Sequence, residues 1–382
     1  MLSASGKRSL LLTVVALFPL SSFAQTFSSI VTGIGYQGGE LQVIGLGASD
    51  GAAHLAAWQD SSGTWHPGGA LPGQGTRFSA LVTGTGNVGE LQIIGLGAAD
   101  GHAYLAAWQD TSGAWHSGGI LPGQSTQFSS IVTGVGNPSG ELQVVGLGAA
   151  DHRAYLAAWQ DSSGTWHPAS ASGAIAISDT TPLSFIETGV GNSSRLQVLG
   201  KDASDGLLRL SAWQDNSGGW HTSGTLPNSN PVVSALATVR ANLGNLQAVG
   251  LGANDGHLYL VDWQDGSGGW HGAGVLPGQT NTLSSIVLGN GNGGQPQAGG
   301  RGWADSLLHM TAWQDGSGAW HAYGSIPQFN TPVSVIVSGK GNAGNLQILG
   351  LGATDSHIEL ITWQDSNGTW HAGGDLTAGF QP

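Results

Sequence analysis

The chain contains no cysteine, only two methionines, and charge on just 9% of its 382 residues. Without cysteine there is neither a disulfide framework nor a thiolate for nucleophilic or metal chemistry, so stability has to come from packing and closure. Ten Lys and Arg stand against 23 Asp and Glu, for a net charge of −13. The chain therefore lacks the basic patches that neutralise phosphates or anionic lipid, which excludes nucleic acid as a partner. Helical periodicity is missing as well. No run of ten or more residues shows it, and 66 glycines disfavour it, since each interior glycine costs a helix about 1 kcal/mol. What the chain has in plenty is glycine and tryptophan, 15 of the latter. So many aromatics argue against disorder, and the absence of a G-X-Y period excludes collagen.

The N-terminus carries Lys7 and Arg8, then an apolar run from Leu10 to Leu20, then Ser22-Phe23-Ala24. This pattern is that of a secretory signal peptide over residues 1–24, cleaved after Ala24, and too short to span a bilayer. No other segment reaches spanning length, so no membrane insertion is expected. The expected mature protein is exported and extracellular, with residues 25–382 forming one domain.

That domain is a repeat. Trp-Gln-Asp occurs at Trp58, Trp108, Trp159, Trp213, Trp263, Trp313 and Trp363, at spacings of 50 to 54 residues. Seven residues after each stands a second tryptophan followed by histidine, at Trp65, Trp115, Trp166, Trp220, Trp270, Trp320 and Trp370. Sixteen residues before each first tryptophan is a glutamine (Gln42 in the first copy), and eight before it an aspartate (Asp50). In the first unit the alternation predicts strands over Phe27 to Thr32, Glu40 to Gly45, His54 to Gln59 and Thr64 to Gly68, separated by Gly- and Asn-rich turns. Four short strands per unit make a propeller blade, and such blades bury their faces only by stacking. The predicted fold class is all-β: a seven-bladed β-propeller of four-stranded antiparallel blades. Ala169 to Thr181 lengthens one link and is expected to be a surface loop.

Strict alternation along the third strand would place Trp58, Ala56 and His54 on one face, and likewise Trp108 with Tyr104, Trp159 with Tyr155 and Trp263 with Tyr259. The position four before tryptophan, which also holds Arg209, His309 and Glu359, is too polar and variable for a core and reads as solvent-reachable. Leu55 and its counterparts suit the core. Flat aromatics beside small and polar residues suit a sugar, whose apolar face packs on a ring while its hydroxyls take hydrogen bonds. The candidate ligand-binding residues are therefore both tryptophan series together with His54, Tyr104, Tyr155 and Tyr259. Blade-to-blade packing is the competing role for the tryptophans, and turn capping for the aspartates of Trp-Gln-Asp and the Asp50 series. Seven of the 13 histidines belong to the Trp-His series, and no repeat gathers the three or four ligands of a zinc site. No metal and no cofactor are expected.

The unit Gly-x-Leu-Gln-Val-x-Gly-Leu-Gly-x-x-Asp-Gly-x-x-Tyr-Leu-x-x-Trp-Gln-Asp-x-x-Gly-x-Trp-His resembles the repeat of the Photorhabdus-type seven-bladed propeller lectins, and the resemblance covers Phe27 to the end. It implies a ring of sites between adjacent blades for fucosylated or O-methylated glycans, and assembly into homo-oligomers. Lys201 and Arg301 depart from the Gly-Leu-Gly pattern, as does Pro296 from the leucine before the glutamine, so altered sites are expected in repeats four and six. A protein-binding propeller is one alternative. A glycosidase is another, but it would need two unique carboxylates brought together. Most acids here repeat with the blades, only Glu187, Asp262, Glu359 and a few others stand out singly, and no catalytic residue is assigned.

Overall fold

The computed structural model describes residues 25–376, apart from 36–38, 87–88, 137–139, 192–193, 228–231, 242–243 and 342–343; the expected signal segment lies outside the described residues. In the first blade β1 (Phe27–Ile34), β2 (Leu41–Gly47), β3 (Ala53–Gln59) and β4 (Trp65–Ala70) form an antiparallel meander in chain order. The same order recurs in all seven sheets, and the first strands of successive blades lie side by side around a central axis. Each sheet is built from consecutive strands. The ring therefore closes where the first blade meets the seventh without exchanging a strand. The long link of the third blade is not wholly a loop, because Ile175–Ala176 returns to pair with Tyr155 and Leu156 and replaces the outer half of a fourth strand.

Strand formation follows the apolar positions. Between blades one and two, Ile44, Leu46 and Ala53 meet Phe78, Leu81, Ile93 and Ala107 in one buried cluster, and comparable clusters fill every other interface. The density of glycine follows from how closely blades approach. A side chain at Gly33, Gly84, Gly134, Gly189, Gly289 or Gly339 would run into Leu91, Leu142, Leu196, Leu246, Leu346 or Leu41 of the next blade. One interface departs from this pattern. The fifth blade has Val239 in place of the glycine, and the sixth has Pro296 in place of the leucine. Pro296, which the sequence marks as a departure, thus belongs to an exchange of bulk across one interface.

Polar bonds close the ring around the axis. The hydroxyl of Thr83 donates to the carbonyl of Thr32, Thr133 to Thr83, Thr188 to Thr133 and Thr238 to Thr188, at 2.5–2.6 Å. Ser338 donates to Leu288, and Thr32 to Ser338 across the junction of the chain ends. The cycle is broken only at Leu288, which has no hydroxyl to offer Thr238; there the Asn290 side chain donates to the carbonyl of Arg240 instead, at 3.1 Å.

Candidate functional site

The repeated hairpin braces itself. Asp60 Oδ1 accepts from the backbone amides of Ser62 at 2.8 Å and Thr64 at 3.0 Å, capping the turn as expected of Trp-Gln-Asp. The turn needs Gly63, whose φ of +87° disfavours a side chain, and its carbonyl accepts from Gln59 Nε2 at 3.0 Å. The other carboxylate oxygen meets His66 Nε2 at 2.6 Å and lays the imidazole on Trp58, with ring centroids 4.5 Å apart and planes at 24°. All seven blades repeat this Trp-His stack at 4.4–4.8 Å. The hydrogen bond from the imidazole, followed by that from the serine hydroxyl, holds Asp60, Asp215 and Asp265 well below the usual carboxylate range.

The two faces of the third strand are not those that strict alternation predicts. Gln42 lies opposite Trp58, but the register slips by one residue at Ala56, so that Ile44 faces Leu55 and Gly45 faces His54. The same bulge occurs in every blade. Trp58 therefore shares its face with Leu55 and Gln42, while His54, Tyr104, Tyr155 and Tyr259 turn to the other face, away from the tryptophans with which the sequence groups them. A bulge leaves no mark in an alternation pattern, since a one-residue insertion inverts every position beyond it.

On that other face the aromatic and polar residues hold the second aspartate series. Tyr104, Tyr155 and Tyr259 donate to Asp100, Asp151 and Asp255 at 2.6–2.7 Å. His54 and His309 contact Asp50 and Asp305, and Arg209 pairs with Asp205 at 2.7 Å. Asp50 also caps its own turn through the amide of Ala52 at 3.0 Å. The seventh blade breaks the set. Glu359 stands where the others carry a donor, is only 2% exposed rather than solvent-reachable, and has one carboxyl oxygen without a hydrogen-bond partner. Burial, and then the charges of Asp375 and Asp355, push its pKa up to about 7. Because its folded value lies above its unfolded one, the fold favours the protonated form, and ionising Glu359 costs stability progressively as pH rises from the ordinary carboxyl range to about 7, after which the loss is constant. Glu359→Gln is thus expected to raise the melting temperature above pH 7 and to change it little below pH ~4.5. Melting curves across that range check this; a shift of equal size at both ends would show that charge is not the cause.

The two tryptophan series meet between blades. The face carrying Trp213, Leu210 and Gln197 on the fourth blade opposes Trp270, Gln264 and the Ser267-Gly268 turn of the fifth, around a cavity of about 320 Å³. The same parts recur between the seventh and first blades, where Trp363, Leu360 and Gln347 face Trp65, Gln59 and Gly63 across about 370 Å³. Between the sixth and seventh, Trp313 and Gln297 face Trp370 and Gln364 across about 450 Å³. The repeat thus sets each first-series tryptophan against the second-series tryptophan of the next blade. The floor is a bridge of buried glutamines: Gln42 Nε2 donates to Gln109 Oε1, Gln143 to Gln214, Gln197 to Gln264, Gln297 to Gln364 and Gln347 to Gln59, at 3.0–3.1 Å. The glutamine of Trp-Gln-Asp, the far half of this bridge, was visible in the sequence only as an invariant of the repeat.

One donor and one acceptor at this floor are left over. Among the described residues the indole Nε1 of Trp65, Trp220, Trp270 and Trp320 is buried without a partner, and so is the Oε1 of Gln347, Gln143, Gln197 and Gln247, the strand-two glutamine of the same four interfaces. In the interface of blades two and three the equivalent atoms bond directly, Trp166 Nε1 to Gln92 Oε1 at 3.2 Å. In that of blades six and seven a hydroxyl of the chain supplies the partner, since Trp370 Nε1 donates to the Tyr323 hydroxyl at 3.1 Å.

Lys201 and Arg301 lie at the far end of the second strand from these clefts. Arg301 donates to Ser284 Oγ at 2.9 Å and to the carbonyl of Ser334 at 2.8 Å, tying the sixth blade to the seventh, and the floors of both affected clefts keep their tryptophans and glutamines. Glu187, Asp262 and Glu359 sit in three different blades, the fourth, fifth and seventh.

No protein-family model matches the chain, and no curated protein matches it in sequence. Among solved structures it is similar to a triple arginine-to-alanine mutant of AofleA from Arthrobotrys oligospora, with a TM-score of 0.53 at 15% identity over 81% of this chain and 91% of that one. It is similar also to the propeller domain of the trilobed protease from Pyrococcus furiosus, described as an open velcro topology (TM-score 0.53, 9% identity, 94% and 100% covered). A puromycin hydrolase matches with a TM-score of 0.54 at 14% identity, over 91% of this chain and 53% of that one. At these identities the likeness shows the fold alone. The protein is an all-β, seven-bladed propeller in which, among the described residues, no strand is exchanged at ring closure.

Proposed function

We propose that the protein is an exported, multivalent carbohydrate-binding protein whose sites are the clefts between adjacent blades. The observation that carries this reading is the unpartnered indole N–H and carboxamide oxygen at the floor of four clefts, each set between two tryptophans. Buried polar atoms are seldom left unpaired, and a hydroxyl group can accept from the indole and donate to the carboxamide at once. A pyranose offers such hydroxyls beside an apolar face that packs on an aromatic ring. Cavities of 320–450 Å³ suit a ligand of one or two sugar rings. Tyr323 supports the same chemistry, because a phenolic hydroxyl fills this position in one cleft.

Fucosylated or O-methylated glycans are the proposed ligands, on the resemblance of the repeat to the Photorhabdus-type lectins. His54, Tyr104, Tyr155 and Tyr259 face away from the clefts and serve the aspartate turns. A glycan array probed with the purified protein, with and without free L-fucose, tests the reading. Fucose-inhibited binding is the expected result. A blank array from folded protein would contradict it and favour a protein-binding propeller.

A further inference from the structure

The clefts share their repeated tryptophans and glutamines but not a rim. Two residues before the strand-two glutamine the chain carries, in blade order, Glu40, Glu90, Glu141, Arg195, Asn245, Gln295 and Asn345. All seven side chains are half-buried. In the three clefts described above this residue lines the cavity, as Arg195, Gln295 and Asn345. The rim is therefore acidic in the first three blades, cationic in the fourth and neutral in the last three. Glu40 and Glu90 stand beside the Trp-His-Asp clasp of their own blades, where partial burial, and then the charge of Asp60 or Asp110, raises their pKa.

Arg195 is held rather than loose. Its guanidinium lies 5.5 Å from the centre of the Trp213 ring, and Nε donates to Asn216 Oδ1 at 3.2 Å. Asn216 follows the Trp-Gln-Asp aspartate of the fourth blade, where the other blades carry Ser61, Thr111, Ser162, Gly266, Gly316 and Ser366, so this tether is peculiar to the cleft that has the arginine. Among the described residues Arg195 joins no ion pair, whereas Arg209 of the same blade is matched by Asp202 and Asp205 at 2.7 Å. In a chain of net charge −13, a held guanidinium whose two terminal nitrogens have no partner among the described residues, beside an open cavity, is set up for a carboxylate from outside.

We infer that the cleft between the fourth and fifth blades is specific for a carboxylated sugar, a uronic acid, whose carboxylate is bound by Arg195 while its ring lies between Trp213 and Trp270. The inference rests on the carbohydrate-binding reading of the clefts and adds that they differ in the charge they accept. The clefts rimmed by Glu40, Glu90 and Glu141 repel such a ligand, and those rimmed by amides hold no charge to favour it.

Calorimetric titration of the purified protein with matched methyl glycosides tests this: glucose and glucuronate, galactose and galacturonate, mannose and mannuronate, with methyl α-L-fucoside as a neutral reference. At least one acid is expected to bind about tenfold more tightly than its neutral parent, at one site per chain, with the preference weakening at high salt. Arg195→Gln should abolish the preference, so that each acid binds no more tightly than its neutral parent. Should that variant melt early, Arg195→Met keeps the packing on Trp213 and answers the same question. The inference is overturned if a neutral sugar binds and no acid is preferred, if the preference survives loss of Arg195, or if several acid sites titrate. If neither acids nor neutral sugars bind, the carbohydrate reading itself falls, and this assignment with it.

Discussion

On a surface densely coated with its glycan, the protein is expected to bind 100- to 10,000-fold more tightly than a single cleft binds the soluble sugar. All the cleft tryptophans except Trp370 are only partly buried, and a single sugar held by two indoles and one or two hydrogen bonds is a millimolar to micromolar ligand. The ring presents several such clefts on a rigid frame, so once one is engaged the others find their ligands at high effective concentration. The check is a pair of measurements: calorimetry with the methyl glycoside, and surface plasmon resonance on chips of graded glycan density. Affinity that rises steeply with density bears out multivalency. Equal affinity on sparse and dense chips would mean that one cleft does all the binding.

The second large effect concerns the frame. Gly189 lies against Leu246 of the next blade so closely that any side chain would overlap it, and Leu246 is fully buried. Gly189→Val should therefore destabilise the ring by about 1–3 kcal/mol, as overpacked cores do. The fifth and sixth blades show how such bulk is accommodated, since Val239 is matched there by Pro296 rather than leucine. Leu246→Ala alone leaves a cavity and should cost about 2–5 kcal/mol. Combined, the two changes should cost less than the sum of the singles, with a coupling of about 1 kcal/mol or more read from urea denaturation. Additive losses would mean that the two side chains do not compete for one space.

The same pair of blades carries Ala241 where the others have a glycine against the glutamine bridge, and there the bridge is missing: the Oε1 atoms of Gln247 and Gln314 are both buried without partners. Together with Leu288, these substitutions take from the interface of blades five and six both the hydroxyl bond and the glutamine bridge found at most other interfaces. The junction of the chain ends, by contrast, retains both its hydroxyl bond from Thr32 and its bridge from Gln347 to Gln59.

The blade was legible in the sequence because its signals are local. Trp58, Gln59, Asp60, Gly63, Trp65 and His66 are one hairpin, and their spacing already encodes the turn that Asp60 caps. The site was legible only in part, because it is made by residues of two blades. Trp213 and Trp270 stand 57 positions apart in the chain, and nothing within one repeat says that the first series of one blade meets the second series of the next. The grouping of His54 with Trp58 failed for a different reason. It assumed an uninterrupted pleat, and the bulge at Ala56 moved the two to opposite faces. Lys201 and Arg301 mark departures in the sequence without touching the cleft, while Arg195 and Tyr323, which do reach it, stand at positions that vary between repeats and so escape a search for what is constant.

The most direct test of the account is the indole N–H resonances of the 15 tryptophans, followed by ¹H–¹⁵N correlation during titration with methyl α-L-fucoside or whichever glycan the array returns. The N–H signals of Trp65, Trp220, Trp270 and Trp320, which have no partner among the described residues, should move downfield as a sugar hydroxyl accepts from them. Those of Trp166 and Trp370, already bonded to Gln92 and Tyr323, should move least. A glycan that binds while all four unpartnered indoles keep their positions would place the site elsewhere on the propeller and contradict the account.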